Sequence, residues 1–194
     1  MWTLRAGFRH VSHAVRFVCP QRAVPFRTPH YGSMVHIFTT GGTIDKEYFD
    51  ASSAYAVGEP QVGQILRDAG VTARFVTEQL MSKDSLELTN EDRARIARNV
   101  HACRAEHIVV THGTDTMVLT AQAIGEVTNK TVVLVGSLAP ARFRTTDATF
   151  NIGFAFAAAQ TAPHGVWIAM NGHVFAPGNV RKNRDANRFE PLHD

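Results

Sequence analysis

Cysteine is nearly absent: Cys19 and Cys103 are the only two in 194 residues. They form neither a disulfide framework nor a metal-binding spacing, so a reducing, cytoplasmic setting is the simple expectation. No apolar run approaches membrane-spanning length, so a membrane protein is not expected. The motifs G-x-x-x-x-G-K-[ST], G-x-G-x-x-G and G-x-S-x-G are all missing, which argues against phosphate-loop, dinucleotide and α/β-hydrolase chemistry. The ten histidines, His10 and His13 among them, make no zinc pattern. Neither a metal nor another cofactor is expected. Internal repeats and low-complexity segments are also lacking.

Acidic residues are missing from residues 1–33, which carry Arg5, Arg9, Arg16, Arg22 and Arg27. Setting those five charges aside takes the formal net charge from +3 to −2, so the high isoelectric point belongs to this leader alone. An Arg-rich, acid-free segment is read three ways: an organelle-targeting sequence, a nucleic-acid-binding arm, or a poorly ordered extension. The extension fits best, because Met34 falls one residue before the first strand and Pro20, Pro25 and Pro29 break any helix. Nucleic acid is the weakest of the three. Residues 34–194 remain, enough to bury a core as one domain.

Within that domain, short apolar strands alternate with helical patterns. Val35–Phe38 reads as a buried strand, and Asp45 to Gly58 as a polar, flexible stretch carrying Tyr48, Phe49 and Tyr55. Val62, Ile65, Leu66 and Ala69 recur at helical spacing, with Pro60 in the first turn and Gly70 as the stop. Ala73–Val76 reads as the next strand, ending in a loop from Glu78 to Leu86. Thr89 with Asp92 forms a capping box for a helix whose apolar stripe is Ile96, Ala97, Val100 and Cys103. His107–Val110 is a strand, followed by a helix with Met117, Val118, Ala121 and Ile124 on one face. Thr131–Val135 is the cleanest strand. The following helix is expected to turn Phe150, Phe154, Ala157 and Ala158 inward. Val166–Met170 is the last central strand, and Asn171-Gly172 turns it into a C-terminal β-hairpin with His173–Phe175. Beyond lies a polar tail rich in Arg and Asn. Continuous apolar strands in β-α alternation predict an α/β fold: a parallel sheet with helices on both faces, in a flavodoxin- or Rossmann-like three-layer arrangement.

Three polar loops, 39–45, 78–86 and 111–116, follow strands in this reading. Ligands bind outside the carboxyl ends of such strands, so the three would converge on one crevice. Gly41 and Gly42 let the chain turn sharply and bring N–H groups close to a ligand, with threonine hydroxyls on both sides. That places a candidate nucleophile beside backbone donors, as acyl transfer requires. Each residue also has a plainer reading. Thr43 could be a capping hydroxyl, Thr114-Asp115 an ordinary helix N-cap, and His112 a structural hydrogen-bonder instead of a base. Lys182 could belong to a solvated basic tail, and the lid aromatics could simply pack under a loop.

Together, Thr40-Gly41-Gly42-Thr43-Ile44, Thr111-His112-Gly113-Thr114-Asp115-Thr116, Val135-Gly136-Ser137 and the Val180-Arg181-Lys182 region resemble the bacterial-type L-asparaginase/glutaminase family. The match runs from about Val35 to about Asn183. The resemblance implies that Thr43 is the nucleophile attacking the side-chain amide carbon of L-asparagine. Tyr55 would position it under a mobile lid, and Ser82 would hold the substrate α-carboxylate. Thr114, Asp115 and Lys182 would form a Thr-Lys-Asp triad, with Asp115 also binding the α-ammonium. Lys serves as a base only when desolvation lowers its pKa. Backbone N–H groups of the Gly42 turn and the Gly113 loop would hold the oxyanion, at about 3–4 kcal/mol per donor. A homo-oligomer is also implied.

The chain departs from the family in stopping soon after Lys182, without the second domain that donates an acidic residue to a neighbouring site. The Asn171-Gly172 hairpin and the organised tail favour a natural short form over a fragment, and Asp45 or Glu47 is a candidate substitute acid. Rival expectations are a glutaminase, an ammonia-releasing amidotransferase component, and a non-catalytic module that senses asparagine.

Overall fold

The computed structural model describes residues 33–49 and 54–193, with backbone alone for residues 48, 49, 54 and 55. The leader, Ser33 excepted, lies outside the described residues.

The chain begins with β1 (Val35–Gly41), whose residues are buried except for the partly covered His36. A short 3-10 turn, Thr43–Asp45, leads into a hairpin of β2 (Lys46–Phe49) and β3 (Ala54–Val57). Within the stretch expected to be flexible, residues 46–49 and 54–57 therefore pair as an antiparallel ribbon separate from the main sheet. Then come α1 (Val62–Asp68), β4 (Phe75–Lys83), α2 (Asn90–Ala102), β5 (His107–Thr111), α3 (Met117–Ile124), β6 (Thr131–Val135), α4 (Ala148–Thr161), β7 (Gly165–Met170) and β8 (His173–Phe175). The polar tail folds into a second small ribbon, β9 (Arg181–Asn183) with β10 (Arg188–Glu190).

The six-stranded sheet has the order β4-β1-β5-β6-β7-β8, all parallel except β8. Its five parallel strands follow the flavodoxin-like order, so the strand order reverses at β1, between β4 and β5. β5 and β6 are buried along their whole length, as β-branched runs covered on both faces should be. β4 is different. As the edge strand it is largely exposed and runs through Lys83, so the expected loop at 78–86 is mostly strand. Its polar sequence, Thr77-Glu78-Gln79, suits a solvated edge and conceals it from any apolar-run reading.

Helix α1 packs on α4 and α2 packs on α3. Phe75 meets Phe156 of α4 edge-on, and Thr77, on the same sheet face, lies against Gly63 of α1. α4 thus shares a face with α1, although its strands step in the same direction as the pair joined by α3. The β6–α4–β7 crossover therefore has the opposite hand to β5–α3–β6. Since right-handed crossovers are the norm, it is the left-handed exception.

Local signals place the start of α2 and the turn into β8. Thr89 Oγ1 accepts from the Asp92 amide at 3.2 Å while Asp92 Oδ2 accepts from the Thr89 amide at 2.9 Å, the reciprocal pair expected. Asn171 and Gly172, at φ 52° and 76°, make the turn into β8. Pro60 lies just before the Gln61 N-cap of α1, outside the first turn. The face of α4 is also corrected. Ala148, Asn151, Ile152, Ala155, Phe156, Ala158 and Ala159 point inward, whereas Phe150 is 61% exposed and stacks on Phe154. The helix is apolar all round, so periodicity could not choose its face, and small residues let it lie close to the sheet.

Candidate active site

The site is built where strand ends press together, and glycines make the closeness possible. Gly41 and Gly42 have φ of 93° and 91°, a conformation that favours residues without Cβ. A Cβ on Gly42 would lie 2.4 Å from the Gly113 nitrogen, and one on Gly41 would lie 2.7 Å from the Lys83 backbone. A Cβ on Gly113 would meet the Ser85 side chain at 2.6 Å, and one on Gly136 the His112 carbonyl at 2.4 Å. The ends of β1, β4, β5 and β6 are thereby locked in mutual contact. Thr40 Oγ1 donates to the Thr111 carbonyl at 2.8 Å, and Thr116 Oγ1 to the Ser85 carbonyl at 2.7 Å. Thr43 and Thr114 each follow one of the two touching glycines, Gly42 and Gly113, so they flank one spot.

The small β9–β10 ribbon delivers the cation. Lys182 Nζ donates to Thr114 Oγ1 at 2.7 Å and to Asp115 Oδ1 at 3.0 Å. Lys182 is no solvated tail residue: its side chain is 15% exposed. Nor do Thr114 and Asp115 cap α3, whose N-cap is Thr116. Arg184 lies 3.5 Å from the same Asp115 oxygen, and Phe189 holds the ribbon down by burial.

His112 is wholly buried. Its Nδ1 lies 2.7 Å from the Gly113 carbonyl and its Nε2 lies 2.8 Å from Thr120 Oγ1. A carbonyl only accepts, so the proton sits on Nδ1 and the Thr120 hydroxyl donates to Nε2. Burial drives its pKa down to about 4, only partly opposed by the Gly113 bond. A neutral, doubly engaged imidazole shapes the loop and is not presented to a ligand.

The β2–β3 ribbon leans over this region. Lys46 pairs with Asp84 at 2.6 Å, Glu47 with Arg142 at 3.0 Å, and Ser82 Oγ lies 3.5 Å from the Val57 carbonyl. Burial would raise the Asp84 pKa, but bonds from Lys46 and the Leu86 amide, with the charges of Lys46 and Lys182, hold it below the ordinary carboxylate value. Pockets for small ligands commonly run about 300–1,000 Å³; the cleft here has a volume of about 540 Å³ and is bordered by Lys46, Val57, Ser82, Asp84 and Leu86. Tyr55 lies on β3 opposite Tyr48, and its side chain falls outside the described residues.

Of the expected residues, the structure therefore gathers Gly42, Gly113, Thr43, Thr114, Asp115 and Lys182, with Ser82 on the exposed rim beside the ribbon. The candidate substitute acids fare differently. Asp45 is buried and turned toward α1, and Glu47 is engaged by Arg142. Lys46, Asp84 and Arg184 were not anticipated. Asp84 stands in the Ser82-Lys83-Asp84 stretch, but no local signal announces a partner as distant in sequence as Lys46.

The model of the family described as "Asparaginase, N-terminal" matches residues 34–191. The chain is 30% identical over 159 residues to a probable periplasmic L-asparaginase of Haemophilus influenzae, covering 76% of this chain and 46% of that one. It is 30% identical over 166 residues to a glutaminase-asparaginase of Acinetobacter glutaminasificans, covering 76% and 49%. Among solved structures, the thermostable L-asparaginase from Thermococcus kodakarensis superposes with a TM-score of 0.72 at 26% identity, over 83% of this chain and 52% of that one. The chain spans about half the length of the curated relatives it matches.

Proposed function

The chain belongs to the asparaginase family through its N-terminal domain, and from that premise we propose that it hydrolyses L-asparagine to L-aspartate and ammonia. The observation that carries this reading is the contact of Lys182 Nζ with both Thr114 Oγ1 and Asp115 Oδ1. A lysine so held beside a hydroxyl is a proton-transfer device, and the turn carrying Thr43 abuts the same loop.

In the first step the Thr43 oxygen bonds to the side-chain amide carbon, the carbon–nitrogen bond breaks, and the threonine proton leaves with ammonia. Backbone N–H groups of the Gly42 and Gly113 turns stabilise the oxyanion. In the second step water adds to the β-aspartyl ester, its proton passes through the Thr114–Lys182 pair, and the Thr43 hydroxyl is restored. Asp115 receives the substrate ammonium, Ser82 the α-carboxylate, and Tyr55 on the lid orients Thr43. A homo-oligomer and a cytoplasmic setting belong to the same proposal, although the Haemophilus relative is named as periplasmic.

Glutamine is the second reading, favoured by the relative named as a glutaminase-asparaginase. Ammonia release by the purified full chain from each amide tests both. Asparagine-selective release supports the first reading, and equal or greater kcat/KM on glutamine replaces it. Thr43→Ala should abolish turnover with the fold retained; appreciable residual release would remove Thr43 from its role.

A further inference from the structure

Asp45 is buried, two residues after Thr43, and takes no part in the chemistry above. It closes the 3-10 turn Thr43–Asp45, and its amide donates to the Gly42 carbonyl at 3.2 Å. Its carbonyl accepts from the Gly58 amide at 2.8 Å, and its Oδ1 accepts from the Gln61 amide at 2.9 Å. β2 starts at the next residue, Lys46, and β3 ends at Val57, just before Gly58. One residue thus joins both roots of the ribbon, the N-cap of α1, and the turn that carries Thr43. Ile44 anchors the same turn from the other side, its carbonyl accepting from the Ala141 amide at 3.1 Å.

The carboxyl is a costly choice for a purely structural tie. Asp45 is 2% exposed, and its Oδ2 has no hydrogen-bond partner among the described residues. Burying a carboxyl with one oxygen unmatched opposes folding. Among the described residues no ion pair compensates: the cation next in sequence, Lys46, is held by Asp84, and Arg142, whose neighbour Ala141 meets the same turn, is held by Glu47.

We infer that Asp45 is a positioning residue: it clasps the β2–β3 ribbon to the turn bearing Thr43, so that seating the ribbon and placing the hydroxyl are a single event. The inference rests on Thr43 being the nucleophile. An Asp45 that only supported α1 would affect stability without separating kcat from KM.

The test compares full-length wild type, Asp45→Ala, Asp45→Asn and Gln61→Pro. Two quantities are read: amide hydrogen exchange across residues 46–61, and kcat and KM for asparagine. Asp45→Ala removes the acceptor and Gln61→Pro the donor, so Gln61→Pro carries the test if the alanine variant fails to fold. Either should speed ribbon exchange about tenfold and lower kcat about ten- to a hundredfold, with KM within about threefold, as expected for a misplaced nucleophile. Asp45→Asn keeps an oxygen for the Gln61 amide and should restore kcat to within about threefold. Wild-type kcat in both the alanine and proline variants, or unchanged exchange in both, overturns the inference. So does a loss in Asp45→Asn as deep as in Asp45→Ala. A wild type that exchanges normally but releases no ammonia would instead refute the catalytic reading, and the exchange data would still decide whether the clasp exists.

Discussion

Lys182 Nζ lies 2.7 Å from Thr114 Oγ1, although 68 positions separate the two residues. The contact exists because β9 and β10 fold the polar tail back over the end of β5, with Phe189 buried as the anchor. Lys182→Met keeps the aliphatic stem and removes the donor. We expect kcat to fall about 10²–10⁴-fold, the range for loss of a positioned proton-transfer group, with the folded fraction unchanged. Steady-state ammonia release alongside circular dichroism checks it. Full activity would assign the lysine to tail packing alone.

Much of this was legible from sequence, for identifiable reasons. β5 and β6 are β-branched runs that admit one reading, and Thr89 with Asp92 marks the start of α2 by chemistry local to four residues. The edge strand β4 was half hidden because solvation allows it polar residues. The inward face of α4 was unreadable because apolar residues surround it. Within the site, the Gly42 and Gly113 motifs stood out as turn chemistry. The ion pairs of Lys46 with Asp84 and Arg184 with Asp115 depend on which strands are neighbours, which no local pattern encodes.

The seam between β1 and β5 makes Gly42 irreplaceable. Alanine there would need φ near 91° and would put Cβ 2.4 Å from the Gly113 nitrogen. Both the backbone and the contact must yield, so Gly42→Ala should cost about 2–4 kcal/mol. Turnover should fall with it, because the Thr43 and Thr114 loops can no longer touch. Denaturant unfolding checks the first effect; a loss below about 0.5 kcal/mol would mean that the loops separate freely.

His112 makes an acid-side prediction. Burial holds its pKa in the folded chain at about 4, against 6.5 for an ordinary imidazole. The unfolded chain therefore binds more protons between these values, so this residue makes stability fall as pH drops from about 6.5 toward 4. Nitrogen-15 spectra of the imidazole at about pH 5.5 should show a neutral ring protonated at Nδ1. An imidazolium signal for His112 at that pH would refute the assignment.

Asp45 pulls the other way. Burial, only partly offset by the Gln61 amide, raises its pKa from 3.8 to about 7. The folded chain now holds the extra proton, so stability from this group is greatest below about 4, declines as pH rises through the window, and levels off above 7. The two buried groups oppose each other over an overlapping range and flatten the net pH dependence. Asp45→Asn removes the titration while keeping the acceptor, so it should leave the melting temperature nearly unchanged at about pH 4 and raise it at about pH 8. The gain at pH 8 is bounded at about 4 kcal/mol by the size of the shift and should be smaller after local relaxation. Thermal melts of both proteins across that range decide it: a gain that is equal at both pH values would locate the benefit in packing, and a loss at pH 8 would mean that the carboxylate is matched by a partner when ionised.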